Sequence, residues 1–205
     1  MRIAVFASGG GSNFQSIVDA TLHGGLDASV VLCVASRPDA GVVERANALD
    51  IPVLILNGSV ESNLRLLVDT LAAHQVTLIA LAGFMKKIPS ELIQRYPNRI
   101  LNIHPALLPK FGGPGMYGMR VHQAVLEAGE ATSGATVHIV DEEYDSGPIV
   151  MQSVVPVFPS DTAADLSERV LKIEHLLYPN ALQLFAQDKI KIDGQSVIQI
   201  EPLRS

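Results

Sequence analysis

Five short, nearly unbroken apolar runs punctuate the first half of the chain: Ile3–Ala7, Val30–Ala35, Val53–Leu56, Leu78–Leu81 and Ile100–Ile103. Runs without polar alternation are what strands covered on both faces require. Between them the period changes. Phe14, Ile17, Val18 and Leu22 recur at helical spacing, and Leu64, Leu67, Val68 and Leu71 do so again. Each set makes one apolar stripe on a helix. Strands alternating with helices predict an α/β fold with a mostly parallel twisted sheet and helices on both faces. Residues 1–104 therefore form a Rossmann-like half.

After His104 the pattern breaks. Pro105, Pro109 and Pro114, with Gly112, Gly113, Gly115 and Gly118, predict a long irregular loop, and loops of that length are usually functional. A short helix over Met119–Ala128 follows, stopped by Gly129. Thr136–Val140 and Ile149–Val157 make two strands around the turn Glu143–Pro148. A long helix starts at Asp161 or Thr162 and runs to about Phe185, and Ile190–Ile200 forms a hairpin around Asp193-Gly194. The expectation is one domain over residues 1–205. Its second half, 105–205, adds loops, an antiparallel extension and a long C-terminal helix.

Composition narrows the function. Of 205 residues 48% are apolar, enough for a sizeable core. The net charge of −6, from 21 acids and 15 bases, argues against nucleic acid or an anionic membrane as partner. Trp is absent and aromatics are 5%, so base-stacking platforms are not expected either. One cysteine, Cys33, allows no intrachain disulfide and no multi-cysteine metal site, and its apolar run suggests a buried, inert thiol. No secretory leader precedes Ile3, and the longest apolar stretch, Val76–Met85, is about half a membrane span. A cytoplasmic protein acting on small molecules is the expectation, with its oligomeric state left open between monomer and homodimer.

Three constellations could carry chemistry. Ser8-Gly9-Gly10-Gly11-Ser12-Asn13 joins the first strand to the first helix. Exposed N–H groups at a helix N-terminus suit an anion, and a phosphate monoester is the natural guest. Phe14 replaces the third glycine of a dinucleotide fingerprint and no Gly-Lys-Ser/Thr follows, which excludes both familiar nucleotide motifs. The plainer reading is a tight turn. Asn102-Ile103-His104-Pro105 ends a parallel strand, where open α/β sheets bind ligands. Alternation puts Asn102 and His104 on one side. A carboxamide N–H can bond an oxyanion and an imidazole can move protons near neutral pH, although a structural histidine fits the position equally. The third is Asp141 with Asp145-Ser146-Gly147-Pro148. Asp145 is either a turn former or a carboxylate that reaches His104, raises its pKa and keeps it charged. His122, His138 and His175 lie on predicted elements without metal-ligand spacing, so no metal is expected.

Together these motifs, with Ala82-Gly83-Phe84-Met85, Thr136-Val137-His138 and Glu174-His175-Leu176-Leu177-Tyr178-Pro179, resemble the folate-dependent formyltransferases in order over nearly the whole chain. Within them the likeness is to the phosphoribosylglycinamide formyltransferases. The resemblance implies formyl transfer from the co-substrate 10-formyltetrahydrofolate to the amine of phosphoribosylglycinamide in purine biosynthesis. It implies Asn102, His104 and Asp145 as catalytic residues. Gly11, Ser12, Asn13 and Glu174 would hold the phosphoribosyl substrate. Met85, Lys86, Lys87, Ile88, Asn102, Asp141 and Asp145 would line the folate site. Lys86 stands where arginine is common, and the loop Phe111–Gly118 is longer and richer in glycine than usual. A formyltetrahydrofolate deformylase and a non-catalytic sugar-phosphate binding module are the alternatives.

Overall fold

Strand β1 (Arg2–Ala7) buries every residue from Ile3 to Ala7, so both its faces are covered. The unbroken apolar runs have the same cause elsewhere, since β4 (Leu78–Leu81) is buried throughout. The computed structural model describes residues 1–194 and 196–199. They divide into two compact units, Met1–Asn102 and the residues from Ile103 onward.

In the first unit β1 leads through α1 (Ser12–Leu22), β2 (Ser29–Ala35), α2 (Gly41–Ala48) and β3 (Val53–Ile55). A short 3-10 turn (Glu61–Asn63), α3 (Leu64–Ala73), β4, α4 (Ser90–Arg95) and β5 (Ile100–His104) follow. All four ladders are parallel, with Val5 opposite Cys33 on one side and Ala80 on the other. The chain winds outward from β1 to β2 and β3, then returns to lay β4 against the other side of β1. That reversal opens the carboxyl ends of β1 and β4, where open α/β sheets take their ligands. Cys33 is fully buried and its thiol is pushed up to about 12 by burial.

Helices α2 and α4 are absent from the periodicity. Val42 and Ala46 are the buried residues of α2, and Leu92 that of α4, so neither carries a readable stripe.

The second unit holds α5 (Met119–Glu127), β6 (Thr132–Ile139), β7 (Ile149–Pro156) and α6 (Ala163–Ala186). Thr162 caps α6 in a reciprocal box with Asp165. The helix buries Leu166, Val170, Tyr178, Leu182 and Phe185. Strands β6 and β7 pair antiparallel with Thr136 opposite Gln152, and the register slips between Val137 and His138. The strand order is β3-β2-β1-β4-β5-β6-β7, a mostly parallel mixed sheet, beside a small hairpin of β8 (Ile190–Asp193) and β9 (Ser196–Gln199). The expected end of that hairpin, Ile200, lies outside the described residues. Among the described residues no helix is long and apolar enough to cross a membrane.

Candidate active site

In the first unit the glycine loop is shaped by what packs behind it. Gly11 caps α1 with φ 76°, and a Cβ there would meet Val42 at 2.8 Å, so no other residue fits without displacement. Ser12 and Asn13 begin the helix, with Asn13 buried. The segment after β4 is tied to this loop. The Ser8 N–H donates to the Gly83 carbonyl (3.2 Å), and the Met85 N–H donates to Ser8 Oγ (2.9 Å). Two hydrogen bonds thus join the glycine loop to the segment from Gly83 to Met85. Met85 and Lys87 are exposed and Ile88 is buried. The Lys86 ammonium is committed, donating to the carbonyls of Leu56 (3.0 Å) and Gly58. Asn102 is half-buried on β5, opposite Leu81 on β4.

In the second unit His104 and Asp145 come together, and they bring His138, which the sequence placed on a strand and in a family motif without giving it a role at the site. Asp145 Oδ2 lies 3.5 Å from His104 Nδ1, and its Oδ1 lies 3.4 Å from His138 Nε2. One carboxylate thus faces two imidazoles. His138 looked like an ordinary strand residue because nothing in its spacing ties it to His104. The slip in register beside it is the kind of irregularity that re-aims a side chain next to a site. His104 Nε2 donates to the Phe111 carbonyl (2.8 Å), since a carbonyl can only accept. The Gly113 N–H donates to Asp145 Oδ2 (2.9 Å). Phe111 and Asp145 both adopt left-handed backbone, at φ 57° and 56°. Such conformations are costly outside glycine and cluster at functional sites. Gly112 between them lies so close that a Cβ would meet Leu108 Cδ2 at 2.5 Å and Asp145 Cβ at 3.1 Å.

Thr136 holds the chain that follows His104. Its buried hydroxyl donates to the Ala106 carbonyl (2.6 Å) and accepts from the Leu108 N–H (3.1 Å) and Gln152 Nε2 (2.9 Å). Asp141 builds the turn that presents Asp145, accepting from Ser146 Oγ at 2.8 Å and the Glu143 N–H at 3.1 Å. Glu174 is buried on α6.

The expected charge on His104 is corrected. Asp145 does reach the imidazole, yet its pKa falls below the ordinary 6.5. Burial is the larger cause, because His104 is 3% exposed and water no longer solvates the imidazolium. The Asp145 charge and the Phe111 carbonyl pull upward without reversing this. At neutral pH His104 is the neutral tautomer with its proton on Nε2. Burial raises the Asp145 pKa, but the His138 hydrogen bond, His104 and the Gly113 N–H outweigh it, so the carboxyl stays below its usual range. His122, also buried, falls to about 4, mainly through burial and then through His104. Among the described residues no group of His, Cys, Asp and Glu could hold a metal ion.

A doubly wound sheet with a glycine loop after β1 and an Asn-x-His strand end is the arrangement of a one-carbon transferase. Residues 1–182 match the formyl transferase family model, and the chain belongs to that family. Its relatives are more particular. It is 46% identical to the chloroplastic phosphoribosylglycinamide formyltransferase of Arabidopsis thaliana, over 97% of this chain and 70% of that protein. It is 40% identical to the phosphoribosylglycinamide formyltransferase of Bacillus subtilis, over 89% of this chain and 93% of that one. The crystal structure of glycinamide ribonucleotide transformylase 1 from Symbiobacterium toebii superposes with a TM-score of 0.92 at 37% identity, covering 98% of this chain and 94% of that one.

Proposed function

We propose that this chain transfers the formyl group of 10-formyltetrahydrofolate to the amine of phosphoribosylglycinamide in purine biosynthesis. The observation that carries the reading is the His104–Asp145 pair, buried at the end of an Asn-x-His strand in a member of the formyl transferase family. Gly11, Ser12 and Asn13 hold the substrate phosphate through their N–H groups, and Glu174 serves its ribose. The residues assigned to the folate are Met85, Lys86, Lys87, Ile88, Asn102, Asp141 and Asp145. A cytoplasmic setting is part of the same reading, in keeping with a single cysteine that is a buried thiol.

The glycyl amine attacks the formyl carbon, a new C–N bond forms and the carbonyl oxygen becomes an oxyanion. The Asn102 carboxamide N–H donates to that oxygen, and such a donor acts where charge develops. The amine proton passes to Nδ1 of neutral His104, the nitrogen left without a proton while Nε2 donates to Phe111, and the imidazolium that results sits beside the Asp145 carboxylate. The carboxylate therefore lowers the energy of the charged intermediate rather than keeping the resting imidazole charged. Collapse breaks the bond to the folate nitrogen, which leaves with the proton from His104. No side chain becomes covalently attached.

The test mixes protein, 10-formyltetrahydrofolate and phosphoribosylglycinamide and follows folate release spectroscopically. Release that depends on the amine is expected. Release without it would mean hydrolysis, and no release in either case would leave a binding module.

A further inference from the structure

We propose that Arg45 on α2 is a positioning residue for the loop that takes the substrate phosphate. The inference rests on the phosphate reading of Gly11–Asn13 and adds what orients that loop. A trans peptide is planar, with its C=O and N–H pointing in opposite directions. Turning a carbonyl one way therefore aims the next residue's N–H the other way. Three consecutive carbonyls of the loop are held away from the open side. The Gly9 carbonyl accepts from the Val42 N–H at the start of α2 (3.1 Å). The Gly10 carbonyl accepts from Arg45 Nε (2.7 Å). The Gly11 carbonyl accepts from the Gln15 N–H in α1 (2.9 Å). The N–H groups of Gly10, Gly11 and Ser12 are thereby aimed opposite to these partners.

Two of the three holds are main chain to main chain and survive any substitution. The middle one depends on a side chain. Without Arg45 the Gly10–Gly11 peptide can rotate, since glycine on either side imposes little restraint. A carbonyl then faces the anion where an N–H had been. The guanidinium is itself steered, because its Nη1 donates to Gln15 Oε1 (3.4 Å). Arg45 spends its Nε on the loop and does not serve as a phosphate ligand through that atom.

The experiment compares the parent with Arg45→Met, Arg45→Lys and Gln15→Ala, using phosphoribosylglycinamide and its dephosphorylated analogue. In Arg45→Met the KM for the phosphorylated amine rises about fivefold to tenfold, the loss of one charge-assisted hydrogen bond at an exposed position. Its kcat, its KM for folate and its kcat/KM on the dephosphorylated amine stay at parent values. Arg45→Lys recovers part of the loss, and Gln15→Ala shows the same pattern at smaller amplitude. If the parent prefers the phosphorylated amine and all three variants keep its KM, the role of Arg45 is wrong while the phosphate loop stands. If the parent does not distinguish the two amines, the phosphate reading fails and this proposal with it. Should Arg45→Met fold poorly, parent KM values in Arg45→Lys and Gln15→Ala together overturn the proposal.

Discussion

Asp145 Oδ2 stands 3.5 Å from His104 Nδ1, and both side chains are largely withdrawn from water. The proximity of an anion would by itself favour the imidazolium, but the His104 pKa is lowered, because desolvation costs the charged form more than the carboxylate returns. The same carboxylate also faces His138. The pair is therefore poised to accept a proton rather than to hold one, and Asp145 matters most once the proton has arrived.

Asn102→Ala and His104→Ala should each lower kcat by about 10²–10³, the usual cost of one donor or acid–base group. Binding of both substrates should persist, as measured by equilibrium titration. Turnover near the parent value in either variant would remove that residue from the mechanism.

The acid limb of the kcat–pH profile should lie below 6.5, because activity needs neutral His104 and its pKa is depressed. Asp145→Asn removes an upward pull, so the limb should move to still lower pH while kcat falls at every pH. A limb displaced upward in this variant would contradict the assignment.

Gly112→Ala tests the strap formed by residues 111 to 113. The added methyl meets Leu108 Cδ2 and Asp145 Cβ, so the buried Leu108 side chain must move and Asp145 must give by a few tenths of an ångström. Overpacking of this kind costs about 1–3 kcal/mol. We expect a lowered Tm and a loss of kcat larger than the change in either KM. Parent kcat with parent Tm would show that the strap yields freely.

His122 sets an acid limit on stability. Its pKa is about 4 in the fold against 6.5 when unfolded, and its Nδ1 has no hydrogen-bond partner among the described residues. Above 6.5 the imidazole is neutral in both states and its contribution to stability is fully present. As pH falls from 6.5 to 4 the unfolded chain binds the proton first, and up to about 3 kcal/mol is lost. His104 acts in the same direction. Urea unfolding at a series of pH values should therefore show a shallower acid slope for His122→Leu than for the parent. Equal slopes would place the acid sensitivity elsewhere.

Much of the architecture is legible in the sequence because its determinants are local. An unbroken apolar run such as Ile3–Ala7 makes a strand covered on both faces whatever else the chain does. Glycines after it make a turn that exposes N–H groups, and an Asn and His two apart on a strand end share a side. The ordered motifs carried the family as well. Short helices without an apolar stripe, α2 among them, left no such mark. His138 stood in a recognisable motif, but its meeting with Asp145 depends on how the turn between them folds back.

What only the tertiary structure decided concerns groups brought together across long stretches of sequence and the water they lose on the way. The reach of Asp145 to His104 was open in the sequence, but the direction of the His104 pKa depends on burial, which no spacing reveals. The Lys86 ammonium looked available for a ligand until the carbonyls of Leu56 and Gly58 took it. Nothing in the sequence marks Arg45, whose Nε meets the Gly10 carbonyl only in the folded chain. Backbone periodicity is written residue by residue, whereas hydrogen-bond partners and desolvation arise only when the packed chain excludes water from specific pairs.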